Sequence, residues 1–211
     1  MRTEFQLTSN APFVEYFKYS TFGNVTAYIS DIGQGRTLAS VIQLVKTKPK
    51  ILYSNAHLFG LDYTYQPFDE QVVLDDLKNA TIFTDMTDMI FDSRLNQHHA
   101  VSHSLLTHAS KYKLKFILNA TKMKHLDINI RQTITDVVFC EFIPKQRLHL
   151  IHCKMAAKSV WQVNPETGIR ERTMQMYLKP ISQCLLRHVD KYFKYYNTSE
   201  IIFPLPKRLV R

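Results

Sequence analysis

The sequence contains only three cysteines, Cys140, Cys153 and Cys184, and none lies close to another along the chain. This odd, scattered set excludes a disulfide framework and favours a reducing compartment. Long hydrophobic runs are also missing, because no stretch approaches the roughly 18–20 apolar residues that a membrane-spanning helix needs. The first residues carry charged and polar groups where a signal peptide has an apolar centre. We therefore expect a soluble cytoplasmic protein without a membrane partner, and the term cytoplasmic here includes a host cytoplasm or a virion.

Acidic residues are scarce relative to basic ones, with 18 Asp and Glu against 27 Lys and Arg and a net charge of +9. This excess favours a polyanionic partner, either a nucleic acid or a phosphate-rich surface. A merely basic soluble surface is the alternative. The apolar fraction of 45% is ample for a core. The length favours a single domain over residues 1–211, with an irregular lead-in at 1–23 and a basic tail at 204–211.

Glycine is rare as well, and two of the five glycines fall in one loop, at Gly33 and Gly35. The loop follows a β-rich run at 25–29 and leads into an apolar, helix-like run at 37–47. This order of strand, glycine turn, basic residue, hydroxyl and helix is typical of a P-loop, in which backbone N–H groups and a helix N-terminus surround phosphates. The predicted nucleotide-binding residues are Gly33, Gln34, Gly35, Arg36 and Thr37. Two positions depart from the motif, since Ser30 replaces its first glycine and Arg36 replaces its lysine.

Strand and helix patterns alternate along most of the chain, which predicts a P-loop NTPase-like α/β fold with a mostly parallel sheet flanked by helices. A C-terminal β-hairpin and helix follow this alternating region. We predict strands at 25–29, 51–54, 80–85, 114–120, 136–143 and 147–154, and helices at 37–47, 70–79, 93–113 and 125–135. The hairpin is predicted from strands at 160–163 and 168–177, followed by a helix from Pro180 to Tyr195 and a late strand at 200–203.

An acidic residue at the end of a second strand is needed in a P-loop protein to hold the Mg²⁺ that neutralises the phosphates. Asp85 ends the run Thr81–Thr84 and is the candidate, with Thr37 as the second ligand. A glutamate that polarises the attacking water often follows such an aspartate, but Met86 stands here and cannot accept a proton. The simpler interpretation is that Asp85 only ends a strand.

The segment 85–94, DMTDMIFDSR, resembles the D-E-x-x-x-x-x-D-S-R segment of viral and archaeal packaging-type ATPases in the FtsK/HerA superfamily of DNA-pumping P-loop enzymes. The resemblance extends over about residues 24–202, through HLDINIRQTITD at 125–136 and YNTSE at 196–200. It implies ATP and Mg²⁺ as cofactors, DNA as a partner and a homo- or hetero-oligomeric ring. It also implies fold-bearing roles for Asp92 and Arg94, and adds Arg131 as a candidate catalytic residue.

Four positions with catalytic roles differ from this family, at Arg36, Met86, Ser110 and Thr121. Loss of a water-orienting base costs about 10²–10⁴-fold in rate, and loss of an arginine finger about 10³–10⁵-fold. We therefore expect a degenerate homologue with weak or no ATP hydrolysis that acts as a DNA-associated or structural partner. One alternative is an active packaging ATPase in which Arg36 binds the phosphates and either Asp88 or a neighbouring subunit replaces the missing glutamate. The other is a purely structural protein whose loop binds neither ATP nor Mg²⁺.

Other polar clusters are ambiguous. Five lysines bracket one predicted strand and are candidate nucleic-acid contacts, with solvated strand ends as an equal alternative: Lys111, Lys113, Lys115, Lys122 and Lys124. Three histidines, His98, His99 and His103, have partial zinc-ligand spacing but no second ligand pair nearby, which favours surface histidines. His152 and Cys153 point to opposite faces of a strand, so they do not form a joint site. Four aromatic residues could stack on bases but are expected to pack the late helix against the sheet: Trp161, Tyr192, Tyr195 and Tyr196.

Overall fold

The computed structural model describes residues 10–65, 78–90, 106–144 and 146–197. In these ranges the strands form one eight-stranded sheet in the order β3-β2-β4-β5-β1-β6-β7-β8. The strands are β1 (Val25–Ile29), β2 (Leu52–Ser54), β3 (Thr64–Tyr65), β4 (Thr81–Thr84), β5 (Lys115–Ala120), β6 (Asp136–Ile143), β7 (Arg147–Val163) and β8 (Arg170–Leu186). The α-helices are α1 (Arg36–Thr47), α2 (Thr87–Ile90) and α3 (Ile128–Thr133), with 3₁₀ helices at Tyr19–Thr21, Met123–His125 and Val189–Tyr195.

β1 is an interior strand of the parallel part of the sheet, with β5 on one side and β6 on the other. All five of its residues are buried, because a hydrophobic cluster packs on each face. Tyr28 faces the cluster that contains the apolar side of α1, and Ala27 faces the cluster that contains α3. Burial on both faces explains why β1, apart from Thr26, is apolar along its length rather than alternating.

The last three strands are antiparallel, and β7 and β8 form the predicted hairpin with longer strands than expected. β6 pairs with β7 only as far as Lys154. Beyond Lys154, β7 has β8 as its only partner strand. The two are joined by a turn in which Gly168 has a φ of 69°. We call residues 155–178, which include that turn, the hairpin arm.

The predicted helix from Pro180 to Tyr195 is wrong in its first half. β8 continues to Leu186, and only Val189–Tyr195 is helical, as a 3₁₀ helix. Pro180 pairs with Cys153 at a register irregularity on the edge strand of the sheet. An edge strand with a bulge tolerates proline, because no neighbouring strand needs its missing N–H. Proline was therefore a misleading helix signal here.

The remaining predicted elements agree to different extents. The strands at β1, β4, β5 and β6 and the helix α1 are confirmed to within two residues at each end. The predicted helix 93–113 ends earlier, since only Leu106 and Thr107 of its described part are helical and 108–113 form turns. The short strand β3 was not predicted. The predicted helix at 70–79 lies outside the described residues apart from 78 and 79, which are in a turn. The late strand at 200–203, His98, His99, His103, Asp92, Arg94 and the basic tail also lie outside them.

All three cysteines are free and buried. Burial raises the pKa of the Cys153 thiol and of the Cys184 thiol to about 12, so both are protonated at neutral pH. His152 and Cys153 do point to opposite faces, since Cys153 belongs to the α3-side cluster while His152 stacks on Phe22 of the α1-side cluster. In the described ranges, none of the helices is long and apolar enough to cross a membrane.

Candidate functional site: a glycine loop facing an acidic strand end

The loop after β1 depends on two glycines in the left-handed region, Gly33 with a φ of 80° and Gly35 with a φ of 85°. Gly35 also lies against β7, because a Cβ atom there would approach Leu148 Cδ1 to 2.7 Å. α1 begins at the next residue, and its first helical hydrogen bond runs from Ala39 N to Gly35 O at 2.9 Å. The N–H groups of the first turn are therefore left to face the loop, as an anion site requires.

Gln34 attaches the loop to the neighbouring strand. Its side-chain Oε1 accepts a hydrogen bond from Phe142 N in β6 at 3.3 Å, and its backbone N–H donates to the backbone oxygen of Asp31 at 3.2 Å. Asp31 is an exposed acidic residue inside the loop, a feature that was not singled out from the sequence. A carboxylate at this point opposes a polyphosphate by like-charge repulsion, so it weakens any nucleotide affinity that the loop retains.

Arg36 turns back across the loop. Its Nη1 donates to the carbonyl oxygen of Ser30 at 3.1 Å, and the residue is 9% exposed. Its Nε is buried without a hydrogen-bond partner, and within the described ranges no carboxylate forms an ion pair with the guanidinium. A buried positive charge with an unused donor is costly unless an anion compensates it. The arrangement thus fits a phosphate group at the loop.

Asp85 follows β4 and faces the first turn of α1. Thr37 Oγ1 lies 3.3 and 3.2 Å from the two carboxylate oxygens of Asp85. A hydroxyl and a carboxylate brought together beside a phosphate loop are the oxygen ligands that Mg²⁺ accepts, with substrate phosphates and water completing its shell. The residues present therefore fit a magnesium ion, and Thr37 and Asp85 would hold it.

Two asparagines position Asp85, and sequence reasoning missed both. Asn119 Nδ2 donates to Asp85 Oδ1 at 2.9 Å and also lies 3.1 Å from Ser40 Oγ. Asn119 is near the end of β5, the strand between β1 and β4, so it links the acidic strand end to α1. Asn55, directly after β2, holds the backbone of Asp85 through bonds of 2.8 and 3.0 Å. The available signal was an asparagine inside or just after an otherwise apolar strand.

Met86 occupies the position of the family's glutamate with a φ of 52°, which is unusual for a residue with a side chain. Its amide donates to Asp85 Oδ1 at 3.0 Å, so the backbone at this position serves Asp85. The thioether can neither accept a proton nor orient a water molecule. The structure thus contains a carboxylate suited to bind a metal ion, that of Asp85, but no general base at the next position.

Asp88 lies one turn further along, at the start of α2, and its Oδ2 accepts hydrogen bonds within the structure. The Thr121 amide donates to it at 2.8 Å, the Thr121 hydroxyl also bonds to it, and His125 Nδ1 lies 3.8 Å away. Asp88 is 9% exposed. These contacts join the end of β4 to the end of β5, so Asp88 has a structural use at the candidate site in addition to any role as a base.

Neither Arg131 nor Ser110 has a described contact with the loop. Arg131 is in α3, its Nε is buried without a partner, and no described hydrogen bond or ion pair connects it to the loop. Ser110 Oγ accepts a hydrogen bond from Asn24, the residue before β1. It therefore lies at the edge where the parallel strands start, opposite the edge that carries the loop.

The five candidate lysines divide between these two edges. Lys111, Lys113 and Lys115 precede or begin β5, whereas Lys122 and Lys124 follow its end. All five side chains are exposed. A six-residue strand spans about 20 Å, so the two groups cannot form one continuous patch, and only Lys122 and Lys124 share the edge of the glycine loop.

The expected packing of the late aromatics is confirmed for three of the four residues. Tyr192, Tyr195 and Tyr196 pack against the α1-side cluster. Trp161 does not, since it lies on the hairpin arm and is 66% exposed. Burial raises the pKa of Tyr196 to about 12, with the charge of Asp85 as a second cause.

Comparison with known proteins adds evidence on the fold. No protein-family model and no curated protein matches the sequence. Among solved structures, the chain is similar to the N-terminal domain of zonular occludens toxin from Neisseria meningitidis, with a TM-score of 0.52 and 13% identity over 84% of this chain and 100% of that one. It also matches the DNA-packaging ATPase B204 of Sulfolobus turreted icosahedral virus, with a TM-score of 0.45 and 9% identity over 71% and 96% of the two chains.

A further match is the genome-packaging NTPase B204 of Sulfolobus turreted icosahedral virus 2 in complex with ATP-gammaS, with a TM-score of 0.44, 10% identity and coverage of 75% and 98%. Identities this low carry information on fold and none on activity. The packaging-type branch expected from the sequence stays a prediction. The architecture itself is established: this chain has an α/β fold of the P-loop NTPase type, with a mostly parallel sheet and an antiparallel extension.

Proposed function

We propose that this protein is a degenerate relative of DNA-packaging or DNA-translocating P-loop ATPases, which binds a magnesium nucleotide and hydrolyses it slowly or not at all. The observation that carries the proposal is the approach of Thr37 Oγ1 to both carboxylate oxygens of Asp85, at 3.3 and 3.2 Å. A hydroxyl at the start of α1 and a carboxylate at a second strand end are oxygen groups of the kind that Mg²⁺ accepts, and they lie between loop and strand, where the ion would sit.

The glycine loop supports the nucleotide part of the proposal. Arg36, Thr37 and the backbone from Gly33 to Gly35 would contact the phosphates, and Mg²⁺ would neutralise their charge. The buried, uncompensated guanidinium of Arg36 favours an anion in its vicinity. An arginine reaches phosphate oxygens with a planar fork rather than a point charge, so the phosphates would be held differently than by a lysine.

Two features support slow or absent hydrolysis. Met86 offers no base next to Asp85, and the nearest alternative, Asp88, is bonded to Thr121. DNA as the partner is inferred from the net charge of +9 and from the resemblance of the segment 85–94 to packaging ATPases. A ring, shared with copies of itself or with an active homologue, is inferred from that resemblance alone.

The first experiment titrates a fluorescent ATP analogue into the protein with and without Mg²⁺. We expect saturable, Mg²⁺-dependent binding that weakens at least tenfold in Asp85→Asn and in Thr37→Val, because each removes one ligand. Asp62→Asn removes the same charge from an exposed position and should bind like the wild type. A complete lack of saturable binding would favour the purely structural alternative, and binding unaffected by both site variants would contradict the assignment of the site.

The second experiment measures ATP hydrolysis in the presence of DNA. We expect turnover below about 1 s⁻¹, the low end of ordinary enzyme rates. Met86→Glu restores the family's base beside Asp85 and should raise the rate, while Met86→Gln is the uncharged control of similar size. A wild-type rate above that limit, lost in Asp88→Asn but with nucleotide binding intact, would establish the active-ATPase alternative.

A further inference from the structure

A groove at the carboxyl-terminal end of α1, opposite the glycine loop, brings four lysines together. One wall consists of Val45, Lys46 and Lys48, from the last turn of α1 and its cap. The other wall comes from the 3₁₀ helix Val189–Tyr195. The groove has a volume of about 390 Å³, and its second wall contains Lys191, Tyr192, Lys194 and Tyr195. We call it the lysine groove.

Four lysines line the lysine groove, and Asp190, the acidic residue of the 3₁₀ helix, is not among its lining residues. No Asp or Glu lines it, and in the described part of the chain none forms an ion pair with Lys46, Lys48, Lys191 or Lys194. The end of α1 carries a partial charge of about −0.5, which a single lysine already offsets. The partial negative charge of the helix end therefore accounts for the presence of one of the four lysines, and the positive charges of the other three are not offset by it.

The wall formed by the 3₁₀ helix is anchored firmly to the rest of the structure. Tyr195 O accepts a hydrogen bond from Phe59 N at 2.8 Å, and Val189 N donates to Gln146 O at 3.2 Å. The rings of Tyr192 and Tyr195 pack against the α1-side cluster. The positions of the lysines on this wall are therefore set by the core, so less conformational entropy is lost when they bind an anion.

Each lysine of that wall also lies over a ring. Lys191 Nζ is 5.3 Å from the ring centre of Tyr192, and Lys194 Nζ is 5.3 Å from that of Tyr195. This contact stabilises the charged amine while leaving its N–H groups free for an acceptor. Exposed ammonium groups with free N–H donors are suited to bind the phosphate oxygens of a nucleic-acid backbone.

We propose that the lysine groove binds the phosphodiester backbone of a nucleic acid, at a site separate from the glycine loop. Several lysines along one open groove match the repeated charge of a backbone better than a single small anion. Lysine acts as a point charge and reads no base, so binding is independent of sequence and strongly dependent on salt. The inference does not depend on nucleotide binding, because the groove is at the other end of α1.

The test measures binding of a short fluorescent DNA duplex by anisotropy over a range of salt concentrations, without nucleotide. A plot of log affinity against log salt has a negative slope. In Lys191→Gln/Lys194→Gln we expect this slope to become shallower by about 1.8, since each phosphate contact contributes about 0.9 to its magnitude. At about 0.15 M salt this corresponds to a loss of roughly 30-fold. The matched control is Lys158→Gln/Lys179→Gln on β7 and β8, which removes the same charge and should bind almost like the wild type.

Equal losses in the two double variants would overturn the proposal, because they would show attraction to net charge alone. Wild-type affinity in the groove variant would also overturn it. Vesicles that contain an anionic lipid provide a further arm: loss of vesicle binding with intact duplex binding would assign the groove to a membrane surface instead. Asp85→Asn should bind DNA normally, so failure of the nucleotide proposal and failure of this one can be told apart.

Discussion

The strands around the glycine loop and the strands of the hairpin arm belong to one sheet but have opposite environments. β1 and β4 are buried on both faces, whereas most residues of the hairpin arm are exposed. Backbone pairing differs too, because β1 and β4 each have a neighbour on both sides, whereas each strand of the hairpin arm pairs only with the other. An isolated two-stranded ribbon is only marginally stable without packing.

The register of the hairpin arm shows that its two faces also differ from each other. Trp161 and Val163 share one face with Met174 and Met176, and their direct partners Arg172 and Arg170 lie on that face too. The other face carries polar residues together with two large apolar ones: Lys158, Gln162, Glu171, Gln175, Val160 and Tyr177. The face of Trp161 continues from Met155 and Leu178, which pack against the α3-side cluster. The sheet is therefore self-sufficient near the candidate site and carries a largely exposed ribbon, more apolar on one face, at its other side.

The largest effect is expected where the site strands are buried. Phe83, two residues before Asp85, is fully buried in the α1-side cluster. Phe83→Ala should lower the free energy of unfolding by about 3–5 kcal/mol, through lost burial and the cavity left behind. Urea denaturation followed by circular dichroism measures the change. A loss below about 1 kcal/mol would mean that the parallel part of the sheet is not tightly packed.

A large effect is also expected at the junction between the two regions. Asp136 begins β6, and its Oδ1 lies 2.6 Å from His152 Nε2 of β7, with both side chains buried. Its Oδ2 accepts a hydrogen bond from Gly23 N at 2.7 Å. Asp136→Asn should cost about 3 kcal/mol, because it removes one partner of a buried pair. Glu141→Gln, at an exposed pair with His149, is the control and should cost less than about 1 kcal/mol.

The same carboxylate gives the stability a pH dependence. Burial acts to raise the pKa of Asp136, but hydrogen bonds from His152, Gly23 and Thr135 outweigh it and lower the pKa below 3.8. The folded state thus binds the proton less tightly than the unfolded state. Its contribution is fully present above about pH 4 and is lost as the pH falls through the lowered pKa. Denaturation midpoints between pH 6 and pH 3 should therefore fall more in the wild type than in Asp136→Asn.

A moderate effect separates two glycines with similar backbone angles. Gly35 in the loop and Gly168 in the hairpin turn have φ values of 85° and 69°, so alanine strains both by about 1 kcal/mol. Only at Gly35 would the new methyl group meet another side chain, Leu148. Gly35→Ala should therefore cost about 1–3 kcal/mol more than Gly168→Ala in the same denaturation assay. Equal costs would mean that Leu148 of β7 shifts to make room for the new methyl group without a loss of stability.

The smallest effect is expected on the hairpin arm. Trp161 is 66% exposed, so Trp161→Ala should change the free energy of unfolding by no more than about 0.5 kcal/mol. The tryptophan is the only one in the chain, so the change is followed by circular dichroism rather than fluorescence. A loss comparable to that of Phe83→Ala would show that the more apolar face of the arm is covered in solution, and the contrast between the two regions would fail.

Most of the parallel part of the fold could be predicted from the sequence, because its strands are short runs rich in apolar and β-branched residues and its glycine loop has a local pattern. The approach of Thr37 to Asp85 was predicted on the same basis. The length of β7 and β8 was not, since their exposed residues show no burial pattern that distinguishes a strand from a loop. Pro180 was read as the start of a helix because nothing local reveals that it lies at a bulge on an edge strand.

The sequence alone determined the order of strand, loop and helix around Gly33 and Gly35, since backbone freedom and hydrophobic patterning act between near neighbours. Tertiary structure decided what gathers around that loop. Asn55, Asn119 and Asp85 come from three different strands and meet only because parallel strands end at the same edge of the sheet. The lysine groove has the same origin, since 143 positions separate Lys48 from Lys191 and only the packing of the 3₁₀ helix against α1 brings them together.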